Sequence, residues 1–311
     1  MKKIPVWMDC DTGTDDAVAL LLLHASPELS LEGLSTVCGN AMQDLTYWNT
    51  HRINGLAGKD TPVYCGASRP MLVEPHTSTL FHGENGLGGV DLPIPESAEV
   101  PEEAAWEALY ECARKQPGEL RLVATGPLTN VAIAFIQYPD LPQLLHSVLL
   151  MGGSAGPGNV VPAAEFNIYA DPHAADIVFR SGATLVMFGL DVTLQARLLP
   201  EDLEEFAASG TKAGIFVRDC LQGYVKASRR YGMTAACMHD SCPVMYLIHP
   251  ELFTGRMAGV AVETRGTITC GKTVVDLDSD LKFPFKNALV MLELDSKAFV
   301  SILKSRILSL G

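Results

Sequence analysis

Residues Val6 to Leu22 read VWMDCDTGTDDAVALLL, and the fold is decided by how this stretch is divided. An apolar run, Ile4 to Met8, enters it, and a second apolar run, Ala17 to Leu23, leaves it. Between them Asp9, Asp11, Asp15 and Asp16 fall within eight positions. The first run predicts a buried strand, Gly13 a turn, and the second run a helix with an apolar face. The four acids then crowd the carboxyl end of one strand and the first turn of the next helix. Carboxylates this close raise one another's pKa unless positive charge sits among them, and a hard divalent ion with oxygen ligands is the usual remedy. Capping the helix amides would use one acid and leave the others unexplained.

Outward from that strand the pattern repeats. Apolar runs at Leu31 to Cys38, Leu120 to Ala124, Ser147 to Met151 and Thr184 to Gly189 alternate with helix-like segments. Runs apolar on both faces and separated by helical patterns indicate an α/β fold, an open, mostly parallel, Rossmann-like sheet flanked by helices. Such sheets bind ligands outside the carboxyl ends of their strands. Here those ends carry DCDTGTDD, Gly39-Asn40, Thr125 to Asn130, Met151 to Gly153 and Gly189 to Thr193, so the active site is expected there. His76 to Pro95, which contains FHGENGLGG, has the composition of a mobile loop over that site. Val260 to Leu277 alternates as a small C-terminal β-hairpin, and Asn287 to Leu308 reads as a closing strand and helix. With no internal repeat or linker, residues 1–311 are expected to form one domain.

A chain of 311 residues with 48% hydrophobic content can bury a large core. A net charge of −13 without any Lys/Arg run argues against a nucleic-acid partner. No stretch approaches the roughly 18 apolar residues of a membrane span. About five apolar residues precede the first Asp, short of a signal peptide's apolar region, so a cytoplasmic location is expected. The eight cysteines form no CxxC pair, which removes zinc-ribbon and thioredoxin-like motifs and suits buried thiols in a reducing compartment. The partner favoured by this composition is a small neutral metabolite or a cation.

Two short patterns compete for the function. Gly266 to Thr273, GTITCGKT, matches the phosphate-loop pattern G-x-x-x-x-G-K-[ST] letter for letter. A working phosphate loop opens a helix whose amides hold the phosphates. Here a strand-like Thr-Val-Val-Asp-Leu follows Lys272, and nucleotide binding is set aside. Asp9-x-Asp11-x-Gly13-Thr14 resembles the opening of haloacid-dehalogenase-like phosphatases, with Asp9 as nucleophile, Asp11 as acid/base and magnesium as cofactor. That reading finds no convincing lysine before Asp191, its possible later acid, and gives the Asp15-Asp16 pair no role.

Two further polar clusters remain. One runs from Gly158-Asn159 through Glu165-Phe166-Asn167 to Tyr169-Ala170-Asp171-Pro172; the other is Met238-His239-Asp240-Ser241-Cys242-Pro243, ahead of an apolar helix. The ordered segments DCDTGTDDAVA, VCGN, FHGENGLGG, ATGPLTNVAIA, MGG, GNVVPAAEFNIYADPHAA and HDSCP span nearly the whole chain. In them the sequence resembles the inosine-uridine type nucleoside hydrolases. Thr12 stands where that family often has Pro.

The resemblance implies hydrolysis of the N-glycosidic bond of ribonucleosides to base and ribose, a salvage reaction, with Ca2+ held by Asp11, Asp16, the Thr125 carbonyl and Asp240. All are oxygen donors, as a calcium shell of about 6 to 8 oxygens requires. It makes Asp11 the general base toward a calcium-activated water that attacks the anomeric carbon. Around the oxocarbenium-like transition state it places Asp15, Asn40, Asn159, Glu165 and Asn167, with Met151 lining the sugar pocket. His239 is the candidate acid for the departing base, its ordinary pKa of about 6.5 suiting neutral pH. The base pocket is expected from Phe81 and His82 and from the helix carrying Tyr224, Arg229, Arg230 and Tyr231. Tyr224 and Tyr231, seven residues apart, also suit plain helix packing. His239 favours pyrimidine-preferring or broad members, and relatives of this kind assemble as dimers or tetramers. A ribonucleoside-binding protein without turnover is the non-enzymatic alternative, weakened by the presence of Asp11, Asp16, His239 and Asp240 together.

Overall fold

The structure, a computed structural model, describes residues 2–278 and 282–310. Its strands are β1 (Ile4–Cys10), β2 (Leu29–Thr36), β3 (Val63–Cys65), β4 (Arg121–Ala124), β5 (Ser147–Met151), β6 (Leu185–Phe188), β7 (Arg197–Leu198), β8 (Ala236–Cys237), β9 (Phe253–Val262), β10 (Thr273–Asp276) and β11 (Ala288–Leu294). Nine of them join in one sheet, ordered β10-β9-β11-β6-β5-β4-β1-β2-β3, while β7 and β8 pair separately. From β3 through β11 every pairing is parallel. The antiparallel strand β9 uses its first half to pair with β11 and its second half to pair with β10. The expected mostly parallel sheet is therefore present. The expected C-terminal hairpin is β9–β10, tied to the sheet through β9 alone.

Alternation along β1 divides the core. Val6, Met8 and Cys10 face one apolar layer, and Trp7 faces the other. The first layer holds helix Thr14–His24, which is buried from Thr14 through Leu23. Helices Gln43–Leu56, Lys212–Ser228, Ser241–Ile248 and Ser296–Leu308 all pack against it. This is why its sequence is apolar on every side, where a single apolar face was expected, because a helix enclosed by others has no wet face to mark.

The parallel register brings the carboxyl ends of β1, β2, β4, β5 and β6 to one edge, with β1 central among them. The segment His76–Pro95 lies at that edge and contains a short helix, Thr79–His82. Leu87 is buried, and Gly88, at φ +65°, sits so close to helix Lys212–Ser228 that an added Cβ would lie 2.2 Å from the Cys220 carbonyl oxygen. Only glycine combines that left-handed backbone with that approach. Gly266 to Thr273 forms the turn into strand β10, with no helix after it, so the phosphate-loop likeness is one of letters only.

Candidate active site

Helix Thr14–His24 begins directly at the end of β1, and its first amides are met by side chains rather than water. The Asp16 Oδ2 accepts from Gly13 N at 3.0 Å, and the His82 Nδ1 accepts from Thr14 N at 3.0 Å. Those are two of the donors that every helix start leaves without an internal partner. Asp16 is held further by Asn40 Nδ2 at 2.9 Å and, on Oδ1, by the Thr125 hydroxyl at 2.8 Å. Asp11 accepts the Asn40 backbone N–H at 2.7 Å through Oδ2, while its Oδ1 is buried without a hydrogen-bond partner. Oxygens of Asp15, Asp16 and Asp240 come within 4.8 Å of one another. The tightest triad thus includes Asp15, which the sequence reading assigned to ribose, while Asp11 stands beside it.

All four of these acids are buried. Burial, followed by repulsion from Asp16, drives the Asp11 carboxyl well above the ordinary range, and burial with repulsion from Asp15 does the same to Asp240. Asp15 is pushed up to about 7 by burial and Asp16; Asp16 is raised by burial. Among the described residues no Lys or Arg pairs with any of them. The nearest base is His82, 4.0 Å from Asp15, and burial pulls its pKa down to about 3. An anionic, all-oxygen, buried cluster with an unpartnered carboxylate oxygen fits a hard divalent cation, and these residues could bind one. The glycines that the sequence places nearby make this packing possible. A Cβ on Gly39 would lie 2.0 Å from Asp11 Oδ2, and one on Gly13 would lie 2.5 Å from His82 Nδ1.

A cavity of about 740 Å³ opens over this cluster, within the size range of small-molecule sites. Asp15, Asn40, Thr125 and Asp240 line its floor. Met151, Asn159, Glu165 and Asn167 line one wall. Glu165 is held by three backbone N–H groups, Gly153 at 2.8 Å, Asn167 at 2.9 Å and Ile168 at 3.2 Å, and burial still pushes its pKa up to about 7. Asn167 donates to the Thr125 carbonyl at 2.7 Å and the Met151 carbonyl at 3.1 Å, so it ties the ends of β4 and β5 together. The Asn159 amide oxygen accepts from Phe166 N at 2.9 Å.

His82 and His239 also line the cavity, together with Phe81 and Tyr224. The Thr14 N–H can only donate, so Nδ1 of His82 is the acceptor and its proton resides on Nε2. His239 contacts the Thr193 hydroxyl through Nδ1 at 2.7 Å, and burial lowers its pKa to about 4. The ordinary value assumed from sequence does not hold, and this imidazole is neutral at pH 7. Tyr224 is buried with its ring 5.5 Å from Phe81 and 6.2 Å from His82, serving packing and cavity wall at once. Arg229 and Arg230 are exposed and away from the cavity. The Tyr231 side chain lies outside the described residues.

Sequence reasoning missed several lining groups, among them Asp191, Leu194 and Met233. Leu194 and Met233 carry no polar signature. Asp191, considered only as a phosphatase acid, accepts from Ala155 N at 2.8 Å. Asp9, the nucleophile of that phosphatase reading, lies outside the cavity and is engaged by Ser35 Oγ at 2.5 Å and Asn130 Nδ2 at 2.7 Å. Strand alternation sends it to the sheet face of Trp7, and the reading fails on that ground.

Known proteins resemble this chain over its whole length. The family model described as inosine-uridine preferring nucleoside hydrolase matches residues 6–301. The pyrimidine-specific ribonucleoside hydrolase RihA of Citrobacter koseri is 42% identical over 308 residues, with 98% of each chain covered. RihA of Escherichia coli K12 is 40% identical at the same coverage. Among solved structures, the purine-preferring ribonucleoside hydrolase from Gardnerella vaginalis superposes with a TM-score of 0.92 at 33% identity, again covering 98% of both chains.

Proposed function

The chain belongs to the inosine-uridine preferring nucleoside hydrolase family and is a ribonucleoside hydrolase, and on that premise we propose that it cleaves pyrimidine or a broad range of ribonucleosides with Asp11 as general base and His239 assisting the leaving base. The observation that carries the proposal is the buried, unpartnered Oδ1 of Asp11 beside the acid cluster. Its twin oxygen is fixed by Asn40 N, so Oδ1 is the free, oriented atom to which a proton from water can pass.

Asp11, Asp16, Asp240 and the Thr125 carbonyl would hold Ca2+, with Asp15 close enough to share in its shell. When bound, the cation neutralises the cluster and acidifies a water molecule. Asp15, Asn40, Asn159, Glu165 and Asn167 present carboxylate and amide groups to the ribose hydroxyls, and Met151 packs under the ring. Anionic groups around the sugar favour the positive charge that develops as the bond to the base breaks. With the Thr193 hydroxyl as donor to Nδ1, His239 would keep Nε2–H as a neutral donor toward the base; His82, with its proton on Nε2, is a second donor. The share of sequence held in common with pyrimidine-specific relatives supports the pyrimidine preference.

Free ribose released from uridine, cytidine, inosine and adenosine tests the proposal, with Asp11→Ala as the decisive variant. Turnover confined to purine substrates would overturn the base preference. All eight cysteines are free thiols, in keeping with a cytoplasmic enzyme, and no helix among the described residues is long and apolar enough to cross a membrane. A homodimer or homotetramer completes the proposal, checked by light scattering.

A further inference from the structure

The segment Gly266–Thr273 carries a phosphate-loop pattern that the fold refuses, which leaves its lysine without a phosphate-binding role. Lys272 forms no carboxylate ion pair within 4.0 Å among the described residues. Its ammonium instead donates to two main-chain carbonyls, Ser154 at 3.0 Å and Gly156. The next residue, Thr273, is buried and grips Ser154 twice: its Oγ1 accepts from Ser154 N at 2.8 Å and donates to Ser154 O at 2.8 Å. Between the two gripped residues, Ala155 N is held by Asp191. Three consecutive residues after β5 are therefore fixed by side chains more than a hundred positions away in one case and 36 in the other. A solvated loop would not need this, because water satisfies exposed backbone groups without cost.

The same turn touches the far end of the excursion. Gly271, at φ +82°, packs so close to the helix Phe166–Ala170 that an added Cβ would lie 2.7 Å from Tyr169 Cα and 3.2 Å from Ala164 Cβ. The turn from β9 to β10 thus clasps both Ser154–Gly156, where the chain leaves the sheet, and Ala164–Tyr169, where it returns. The residues between include Asn159 and lead to Glu165, both in the cavity wall. The excursion is also tied to itself by Gly158 N to Pro162 O at 2.9 Å, Asn159 N to Ala164 O at 3.1 Å and Phe166 N to Asn159 Oδ1 at 2.9 Å, while Gly153 N to Glu165 at 2.8 Å joins its return to the end of β5.

We propose that the β9–β10 turn is a brace for the ribose-binding wall, with Lys272 and Thr273 as positioning residues that set where Asn159 and Glu165 meet the sugar. The brace rests on the hydrolase reading above for its catalytic consequence, but not for its structural one. An ammonium is suited to the task because it supplies several donors from one compact head and can serve two carbonyls that point the same way. Both positioning residues act through the loop; neither lines the cavity.

Lys272→Met keeps the length and apolar stem of the side chain and removes the donors, and Thr273→Val keeps the shape and removes the hydroxyl. The full-length protein with calcium is assayed for uridine hydrolysis and for inhibition by ribose, and hydrogen exchange is followed in peptides spanning 154–165. Each variant is expected to raise KM for uridine and Ki for ribose together by about tenfold, the scale of a lost charge-assisted hydrogen bond. Exchange should quicken in 154–165 and stay unchanged in the peptide of β4, and Lys272→Arg should recover most of both. Ribose Ki at the wild-type value, or exchange that rises evenly across the sheet, overturns the brace. If Lys272→Met does not fold, Thr273→Val decides by the same two readouts. Absence of turnover in the wild type would overturn the hydrolase reading instead, and the exchange result would still decide the brace.

Discussion

Replacing Gly39 with Ala tests whether the acid cluster is a rigid cradle. The new methyl carbon would lie 2.0 Å from Asp11 Oδ2 and 2.7 Å from Pro127 Cδ, where ordinary contact is 3.4–4 Å. Asp11 must therefore retreat by more than an ångström, and the cheapest retreat lengthens its 2.7 Å bond from Asn40 N. Overpacking of this kind costs about 1–3 kcal/mol, read as a fall in Tm of roughly 2–6 °C for a chain of this size. The kinetic effect is larger, because a displacement of about 1 Å in a reacting group costs on the order of a hundredfold. Uridine turnover followed by ribose release, with a thermal melt alongside, measures both. Gly223→Ala is the control: it lies inside helix Lys212–Ser228, its methyl would meet only ordinary contacts at 3.8 Å, and it should keep activity while gaining up to about 1 kcal/mol in stability. If Gly39→Ala keeps kcat/KM within about threefold of wild type at an unchanged Tm, the cluster yields freely and the argument from preorganisation is wrong.

Four further outcomes are expected. Asp11→Ala should lower kcat by about 10²–10⁴ with an unchanged circular dichroism spectrum, and near-normal rates would remove it as the base. His239→Ala should harm uridine hydrolysis far more than that of a nitrophenyl riboside, whose leaving group needs no proton; equal losses would contradict its role as acid. 2′-Deoxyuridine should react at least about a hundredfold more slowly than uridine, since the missing hydroxyl strands buried polar partners, and comparable rates would refute the ribose assignment. In protein stripped of cations, the raised pKa values of Asp11, Asp15 and Asp240 mean that their protonated forms stabilise the fold, a contribution lost as pH climbs. His24 and His239, both lowered to about 4, act in the opposite sense, but their effect is complete by about pH 6.5. Tm of the chelated protein should therefore fall between about pH 6.5 and 8 and recover on adding calcium; a flat or rising Tm would count against the cluster as a cation site.

The sheet was legible because parallel strands are apolar on both faces and end in polar loops, so β1, β4, β5 and β6 show in the sequence within a residue or two of their observed limits. The acid cluster was legible for the same reason: Asp11 follows the last residue of β1, Asp15 and Asp16 open the next helix, and Asn40 lies four residues beyond the end of β2. What stayed hidden depends on distant chain segments. Nothing local in Lys272 tells that it serves Ser154 and Gly156, and nothing in His239 tells that burial takes its pKa to about 4. Leu194 and Met233 could equally be core residues until the cavity is seen. The short pair β7–β8 has too few residues to leave a pattern.

The sleeve of helices around Thr14–His24 has an evolutionary corollary. A rod enclosed on every side tolerates few substitutions, so Asp15 and Asp16 in its first turn are held in place by all the packing around it. Elsewhere the lining is less enclosed: Phe81 and Met233 are only partly covered. On the reading proposed above, point changes at Phe81 or Met233 would alter the base accepted while leaving the acid cluster in place, which would let purine-preferring and pyrimidine-specific enzymes diverge on one common backbone.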